Sequence, residues 1–390
     1  MAFGKTKKRA AEKPPVKQKK RMNMGSIDLP FLILVFCLLG FGLVMVCSAS
    51  YVSAYYRYGD SFYFIKRQAI WALVGIAAMF FFAFVDYRRI KKYVHIILII
   101  ALVMVILVLI PKIGIDVNGA RRWLGIGPVR VQPSEIAKLA VIVFLASYIS
   151  ANQEKMGKFK QGLLPALAVL MVFVGLVLVE THFSGAILIM SVGVIMLFIG
   201  GASIKTLGGF GLAGVSGLAF LILCTDYATS RVTTWLHPFD DPKGSGFQVV
   251  QSLYAIGSGG LLGLGLGQSR QKHLYIPEPQ NDYIFSITCE ELGFIGALVV
   301  ILLFVLLIWR GFTIAFHTQD VFGSMLVIGI TSHVAVQTIL NIAVVTNAIP
   351  STGIGLPFFS YGGTALSILM VEMGIVLSVS RYSSLDKDQP

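Results

Sequence analysis

The segment DLPFLILVFCLLGFGLVMVCSA, residues 28–49, carries no charge after its opening Asp28. About 20 apolar residues in a helix, each adding about 1.5 Å, match the hydrocarbon thickness of a bilayer. The segment is too long for the apolar stretch of a cleaved signal peptide and lacks a small-residue cleavage pattern, so it reads as a retained span. Working outward, comparable windows recur near 69–86, 93–111, 134–151, 162–179, 184–200, 206–225, 284–309, 320–347 and 364–381. Composition agrees: 56% of the 390 residues are hydrophobic and 13% charged, where soluble domains carry about 25% charged residues. The expected fold is all-α, a polytopic membrane protein of about ten transmembrane helices. A large extracytoplasmic loop, 226–283, is expected between helices 7 and 8.

The net charge of +13 suggests nucleic acid until its placement is read. Much of it lies in Lys5–Arg21, within residues 1–25, which read as a disordered basic cytoplasmic tail. No basic patch interleaved with stacking aromatics accompanies it, so no nucleic-acid partner is expected. Residues 26–382 form the transmembrane domain and 383–390 a cytoplasmic C-terminal tail. Lys and Arg in the short loops place both termini in the cytoplasm. Against that rule, Lys112, Arg121, Arg122 and Arg130 fall on the outer side, as expected if they hold an anionic ligand. Cys37, Cys47, Cys224 and Cys289 all sit inside expected spans and imply packing, with neither a disulfide framework nor a metal site.

The 226–283 segment is too apolar and aromatic for disorder, and its length marks it as functional. It reads as an ordered, partly membrane-dipping cap. Its Pro-Phe-Asp-Asp-Pro-Lys-Gly run, 238–244, is turn chemistry, which accounts for Asp240 and Asp241. The glycines at 257, 259, 260, 263, 265 and 267 lack dinucleotide or P-loop spacing and suit a flexible loop whose backbone approaches a ligand. Ionisable residues inside spans are costly and so point to function. Glu135 and Lys138 share a helix face and can neutralise each other, as a structural ion pair or as part of a site. Glu290 and Glu291 diverge by about 100°, so at most one faces a given cavity, and one should pair with a basic group. Asp282 precedes the eighth span, with Lys272 and Glu278 nearby. It is placed to cap that helix or to act as a general base on a hydroxyl.

Several stretches taken together resemble the SEDS family (shape, elongation, division and sporulation), whose members include FtsW, RodA and SpoVE. They are Asn118-Gly119-Ala120-Arg121-Arg122-Trp123 with Gln132-Pro133-Ser134-Glu135, Pro238-Phe239 through Gln251-Ser252-Leu253, Tyr275-Ile276-Pro277-Glu278 to Asp282, Glu290-Glu291-Leu292-Gly293, and Ile349-Pro350 through Gly362-Gly363. The 275–282 and 349–363 stretches look closer to the FtsW and SpoVE branch. The resemblance implies a peptidoglycan glycosyltransferase of the bacterial plasma membrane that polymerises lipid II into glycan strands on the extracytoplasmic side. It implies a class B penicillin-binding protein (transpeptidase) and other divisome membrane proteins as partners, with lipid II and the nascent strand as ligands. Asp282 matches the family's essential carboxylate, and Glu135 and Lys138 a polar pair lining its central cavity. Arg121, Arg122, Lys138, Arg231 and Lys272 are candidates to stabilise the diphosphate, with Glu278 alongside. No cofactor is expected; a divalent cation, Mg or Mn, could assist although no ligand cluster of metal type is legible. Two departures are mild: Asn281 and Tyr283 stand where the family has Thr and Phe. A third is larger: Thr181-His182-Phe183-Ser184-Gly185 replaces Pro-Asp-Phe-Gly-Thr, so the usual acid is absent and its role is not transferred to His182. A lipid II flippase and a scaffold for the transpeptidase are the rival readings.

Overall fold

The computed structural model describes residues 25–117, 120–126, 129–211, 214 and 226–383. Residues 1–24 of the basic tail, 384–390, Asn118, Gly119, Cys224 and most of the expected seventh span at 206–225 lie outside the described residues. In chain order the helices are α1 (Leu29–Tyr58), α2 (Tyr63–Phe84), α3 (Arg88–Lys92), α4 (Val94–Leu109), α5 (Pro133–Ala151), α6 (Leu164–Val179) and α7 (Phe183–Ile199). They continue with α8 (Asp226–Leu236), α9 (Phe247–Ser258), α10 (Ile284–Phe316), α11 (Val321–Val345) and α12 (Gly363–Ser380). Seven are long and apolar enough to cross a bilayer: α1, α2, α5, α6 with its π-helical entry, α10, α11 and α12; α4 and α7 are shorter apolar helices. Every expected span among the described residues is therefore a helix, and the chain is a multi-pass membrane protein.

α1 starts where Asp28 accepts the Phe31 N–H at 2.9 Å and stops at Gly59, whose left-handed backbone terminates the helix. It thus continues through Tyr51–Tyr58, past the end of the expected window at residue 49. α11 lies at the centre, packed against α5, α7, α10 and α12. One end of the bundle gathers the C-termini of α1 and α6, the N-termini of α5, α10 and α12, and the long 226–283 connection. The opposite end is tied by Arg310, which forks onto Asp28 at 2.7–3.1 Å, and by Tyr87, which donates to Asp320.

Three features depart from the expected all-α bundle. First, the 112–133 connection is a three-stranded antiparallel sheet, β1 (Gly114–Val117), β2 (Ala120–Ile126) and β3 (Val129–Val131). Its runs of Ile, Val and Trp favour strands. Asp116 opposes Arg121 in the β1–β2 register. Second, residues 350–361 turn back into the bundle. Leu356, Phe358 and Phe359 are buried, and the Phe358 carbonyl lies so close to Gly42, inside α1, that a Cβ there would sit 2.2 Å away. The freed backbone groups find side-chain partners: Gln337 donates to Gly355 O at 2.9 Å and Asn341 to Ile354 O at 2.7 Å. Irregular backbone at this depth survives only with such internal satisfaction.

Third, α10 breaks at Gly293 (φ 67, ψ −169). The glycine run packs against the break. Leu264 and Gly265 N–H donate to the carbonyls of Glu290 and Glu291, while Phe294 and Ile295 N–H donate to Gly260 and Leu261, all at 2.9–3.1 Å. A Cβ on Gly293 would lie 2.3 Å from the Gly263 nitrogen, so glycine is required by both contact and φ. The backbone of this run makes a close approach to α10.

Candidate active site

Asp282 sits two residues before α10, half-buried. The N-cap of α10 is Tyr283, and no side chain caps this helix end. The capping account of Asp282 therefore fails. Among the described residues its carboxylate accepts no hydrogen bond. Its backbone is anchored instead: Asn341 of α11 donates to the Asp282 carbonyl at 2.8 Å. Gly353 (φ 73) passes beneath, and a Cβ there would lie 3.3 Å from Oδ2. A side chain at 353 would crowd the carboxylate and strain the backbone, which explains the glycine.

The charges of two arginines from different segments reach this carboxylate. Arg231 of α8 is fixed to the 351 loop, donating to the Ser351 carbonyl and, at 3.1 Å, to its Oγ. Arg122 of β2 donates to the Thr181 carbonyl at 2.6 Å. Burial first, then the Glu278 carboxylate, push Asp282 up to about 6, against the pull of Arg231 and Arg122. Glu278 itself forms an exposed 2.8 Å ion pair with Arg57 and accepts from Asn281. A carboxylate poised near neutral pH, within the field of two cations, is suited to take a proton while negative charge develops nearby.

Strand alternation separates the two adjacent arginines, since successive residues point to opposite faces. Arg122 reaches the α6–α7 turn, while Arg121 forms an exposed 3.9 Å pair with Asp116 and is not brought to Asp282. Lys272 is also directed elsewhere. Buried, it donates to Glu291 Oε1 at 2.9 Å, Gly267 O at 2.6 Å and Ser48 Oγ at 3.2 Å. Glu290, beside it, accepts from Ser269 Oγ and from the Arg270 and Gln271 amides. Glu291 is thus the one paired with a cation, and Glu290 holds backbone. Asp241 accepts from the Gly244 and Ser245 amides, which bears out its turn role.

Glu135 and Lys138 form a buried 2.8 Å pair at the start of α5. Pro133 opens that helix, but Ser134 does not cap it; its Oγ meets His182 Nδ1 at 3.2 Å. Lys138 walls a small cavity with Val141, Ile142, Leu188, Val192 and His333. His333 in turn meets Glu372 at 2.8 Å, both buried. His182 is buried and pushed down to about 3, chiefly by burial and then by Arg122, so its imidazole is neutral. Sequence reading missed the His333–Glu372 pair, although the rule that singled out Glu135 applies to ionisable residues in any span. Asn341, a buried polar residue inside a span, was missed for the same reason. Among the described residues no three His, Cys, Asp or Glu side chains come together as a metal site would require.

The sequence pattern of the family described as Cell cycle protein, which spans FtsW, RodA and SpoVE, matches residues 29–385. Stage V sporulation protein E of Bacillus subtilis is 46% identical over 358 residues, covering 92% of this chain and 98% of that protein. A probable peptidoglycan glycosyltransferase FtsW of Geobacter sulfurreducens is 41% identical over 354 residues, covering 90% and 95%. Among solved structures, a chain of a peptidoglycan synthase complex that coordinates polymerization and crosslinking matches with TM-score 0.75 at 28% identity, covering 93% of this chain and 99% of its own. Thermus thermophilus rod shape determining protein RodA matches with TM-score 0.66 at 26% identity, covering 93% and 98%.

Proposed function

We infer that this chain, which belongs to the Cell cycle protein family of FtsW, RodA and SpoVE, is a peptidoglycan glycosyltransferase that polymerises lipid II with Asp282 as general base. The observation that carries the base assignment is a carboxylate with no structural employment: Asp282 caps nothing and accepts no hydrogen bond among the described residues, yet the charges of two clamped arginines reach it.

In this reading an acceptor sugar hydroxyl attacks the anomeric carbon of the lipid-linked donor. The new C–O bond forms as the bond to the diphosphate breaks, and the hydroxyl proton passes to Asp282. A diphosphate leaves as a stable anion, so its departure needs positive charge more than a second acid. Arg231 supplies that charge, Arg122 holds the diphosphate as it binds, and Lys138 is a further candidate cation. A divalent cation, Mg or Mn, would enter on the substrate's diphosphate, because the described residues offer it no cage. We place both termini in the cytoplasm and the Asp282 end outside, where a flipped lipid-linked sugar is presented. A class B penicillin-binding protein is the proposed partner, together with other divisome membrane proteins, in line with the peptidoglycan synthase complex among the structural relatives.

The test is polymerisation of labelled lipid II by wild type and Asp282→Asn side by side. Loss of a general base is expected to cost about 10²–10⁴-fold in rate while the thermal melt stays cooperative. Full polymerisation by the variant would remove Asp282 from the chemistry. A flippase would instead keep translocating lipid II in vesicles whether or not Asp282 is present, and a scaffold would need only its partner bound.

A further inference from the structure

Glu180 closes α6 and is 1% exposed. Both of its carboxylate oxygens are buried without a hydrogen-bond partner among the described residues. It also stands at a helix C-terminus, where the carbonyl dipoles disfavour a negative charge. Each of these conditions favours the neutral acid over the carboxylate. The next residue, Thr181, holds a left-handed backbone (φ 57) that a β-branched residue rarely adopts. In that conformation its carbonyl receives the Arg122 guanidinium at 2.6 Å. Arg122 is the charged side chain whose field reaches Glu180, and the same guanidinium acts on Asp282. The charge of one cation is therefore felt by two acids, Asp282 and Glu180.

We propose that Glu180 is a positioning residue for Arg122: as a buried neutral acid it leaves the guanidinium to the Asp282 site, and as a carboxylate it draws it back against the end of α6. The proposal rests on the polymerase reading of the site and adds a residue that controls how the substrate's diphosphate is held. Among the described residues, the other charged groups that act on these acids are paired or belong to the Asp282 site. His182 on the same turn is neutral, and Glu135 and Lys138 of α5, which act on His182, neutralise each other at 2.8 Å. Glu278 and Arg231 act on Asp282. Burial pushes the Glu180 carboxyl up to about 8 against the pull of Arg122, which puts the changeover just above neutral pH. A diphosphate diester has no proton to lose there, so the substrate does not mask the effect.

The experiment measures initial rates of labelled lipid II polymerisation against substrate concentration, from neutral pH to about pH 9.5, for wild type and Glu180→Gln. Asp282→Asn is assayed beside them at neutral pH. In wild type the KM is expected to rise about threefold or more across this range while kcat changes little, because Arg122 is lost to binding rather than to chemistry. Glu180→Gln, locked in the neutral shape, should show a flat KM. A KM in Glu180→Gln that rises as in wild type, or a flat wild-type KM, overturns the proposal. Should Glu180→Gln fold poorly, infrared spectra of the wild type supply the second reading. A buried carboxylic C=O band must fade as KM rises, and a band that persists to the top of the range overturns the idea. If Asp282→Asn polymerises fully, the reading of the site falls; if it is dead while Glu180→Gln titrates like wild type, only the Glu180 assignment falls.

Discussion

Two lysine–glutamate pairs sit near the Asp282 end of this molecule, and they are built differently. Lys272 and Glu291 join a loop to a helix. All three ammonium protons of Lys272 have acceptors, Glu291, Gly267 and Ser48, and Glu291 additionally accepts from Ser48 Oγ and the Ser269 amide. Lys138 and Glu135 lie one turn apart on a single helix, and Glu135 is the one hydrogen-bonded partner of Lys138 among the described residues. An ammonium carries three donors, so Lys138, with one ion-pair partner, keeps donor capacity while Lys272 has none left. The difference teaches that a buried cation is a candidate ligand only when its donors are not already used. Closure, not charge, separates a latch from a site.

The largest effect expected from this comparison is on stability at the latch. Removing one partner of a buried ion pair leaves an uncompensated charge and costs about 3–5 kcal/mol. Lys272→Met and Glu291→Gln should each lower the thermal midpoint of the detergent-solubilised protein by several degrees. The double variant should recover a large part of that loss, since two uncharged groups replace an ion pair at little cost. Singles that melt like wild type would mean that the 259–272 loop is held by its backbone bonds to α10 alone.

Lys138→Met should show the opposite balance. Its loss of polymerisation is expected at about 10²-fold, the scale for removing one preorganised charge stabiliser. Its melt should fall less than that of Lys272→Met, because Lys138 has one ion-pair partner where Lys272 has three hydrogen-bonded ones. A Lys138→Met protein that polymerises normally but unfolds early would make this pair a second latch and end the contrast.

The same contrast explains what could be read from the sequence alone. Hydrophobic windows located every described span because a bilayer imposes one length on all of them, and Asp282 stood out because a carboxylate at a membrane boundary needs a reason. The sheet at 114–131 was missed although Val117-Asn118-Gly119-Ala120 is hairpin sequence, since short strands between spans give no periodic signal long enough to compete with loop. Nothing local to Lys272 told it from Lys138. The partners that saturate it come from Ser48, Gly267 and Glu291, brought together only by the break at Gly293. Asn341 anchoring Asp282 across 59 positions of chain is equally invisible before the fold is known.

Asp282 lets the comparison be tested by pH. Its carboxyl is pushed up from the ordinary aspartate value of 3.8 to about 6, mainly by burial and by Glu278. A group whose folded-state value is raised adds stability that is complete below the unfolded value and is lost as pH rises through the folded one. At neutral pH the ionised Asp282 therefore costs stability, on the order of 2–3 kcal/mol. Polymerisation should fall as pH drops through about 6, while Asp282→Asn should be more heat-resistant than wild type at neutral pH and not below about pH 4. A variant that is both inactive and less stable at neutral pH would place Asp282 with the latch residues, as a structural group.

The smallest effect belongs to Arg121. Its pairing with Asp116 is 3.9 Å long, with both side chains about half exposed, and such surface pairs contribute about 0–1 kcal/mol. Arg121→Ala should melt and polymerise like wild type. Arg122→Ala, one residue on, removes a cation whose field reaches Asp282, and its KM for lipid II should rise about tenfold or more. Strand geometry is what sends these neighbouring arginines to different partners, Asp116 and the Thr181 carbonyl. Equal losses in the two variants would show that the sheet presents both faces to substrate.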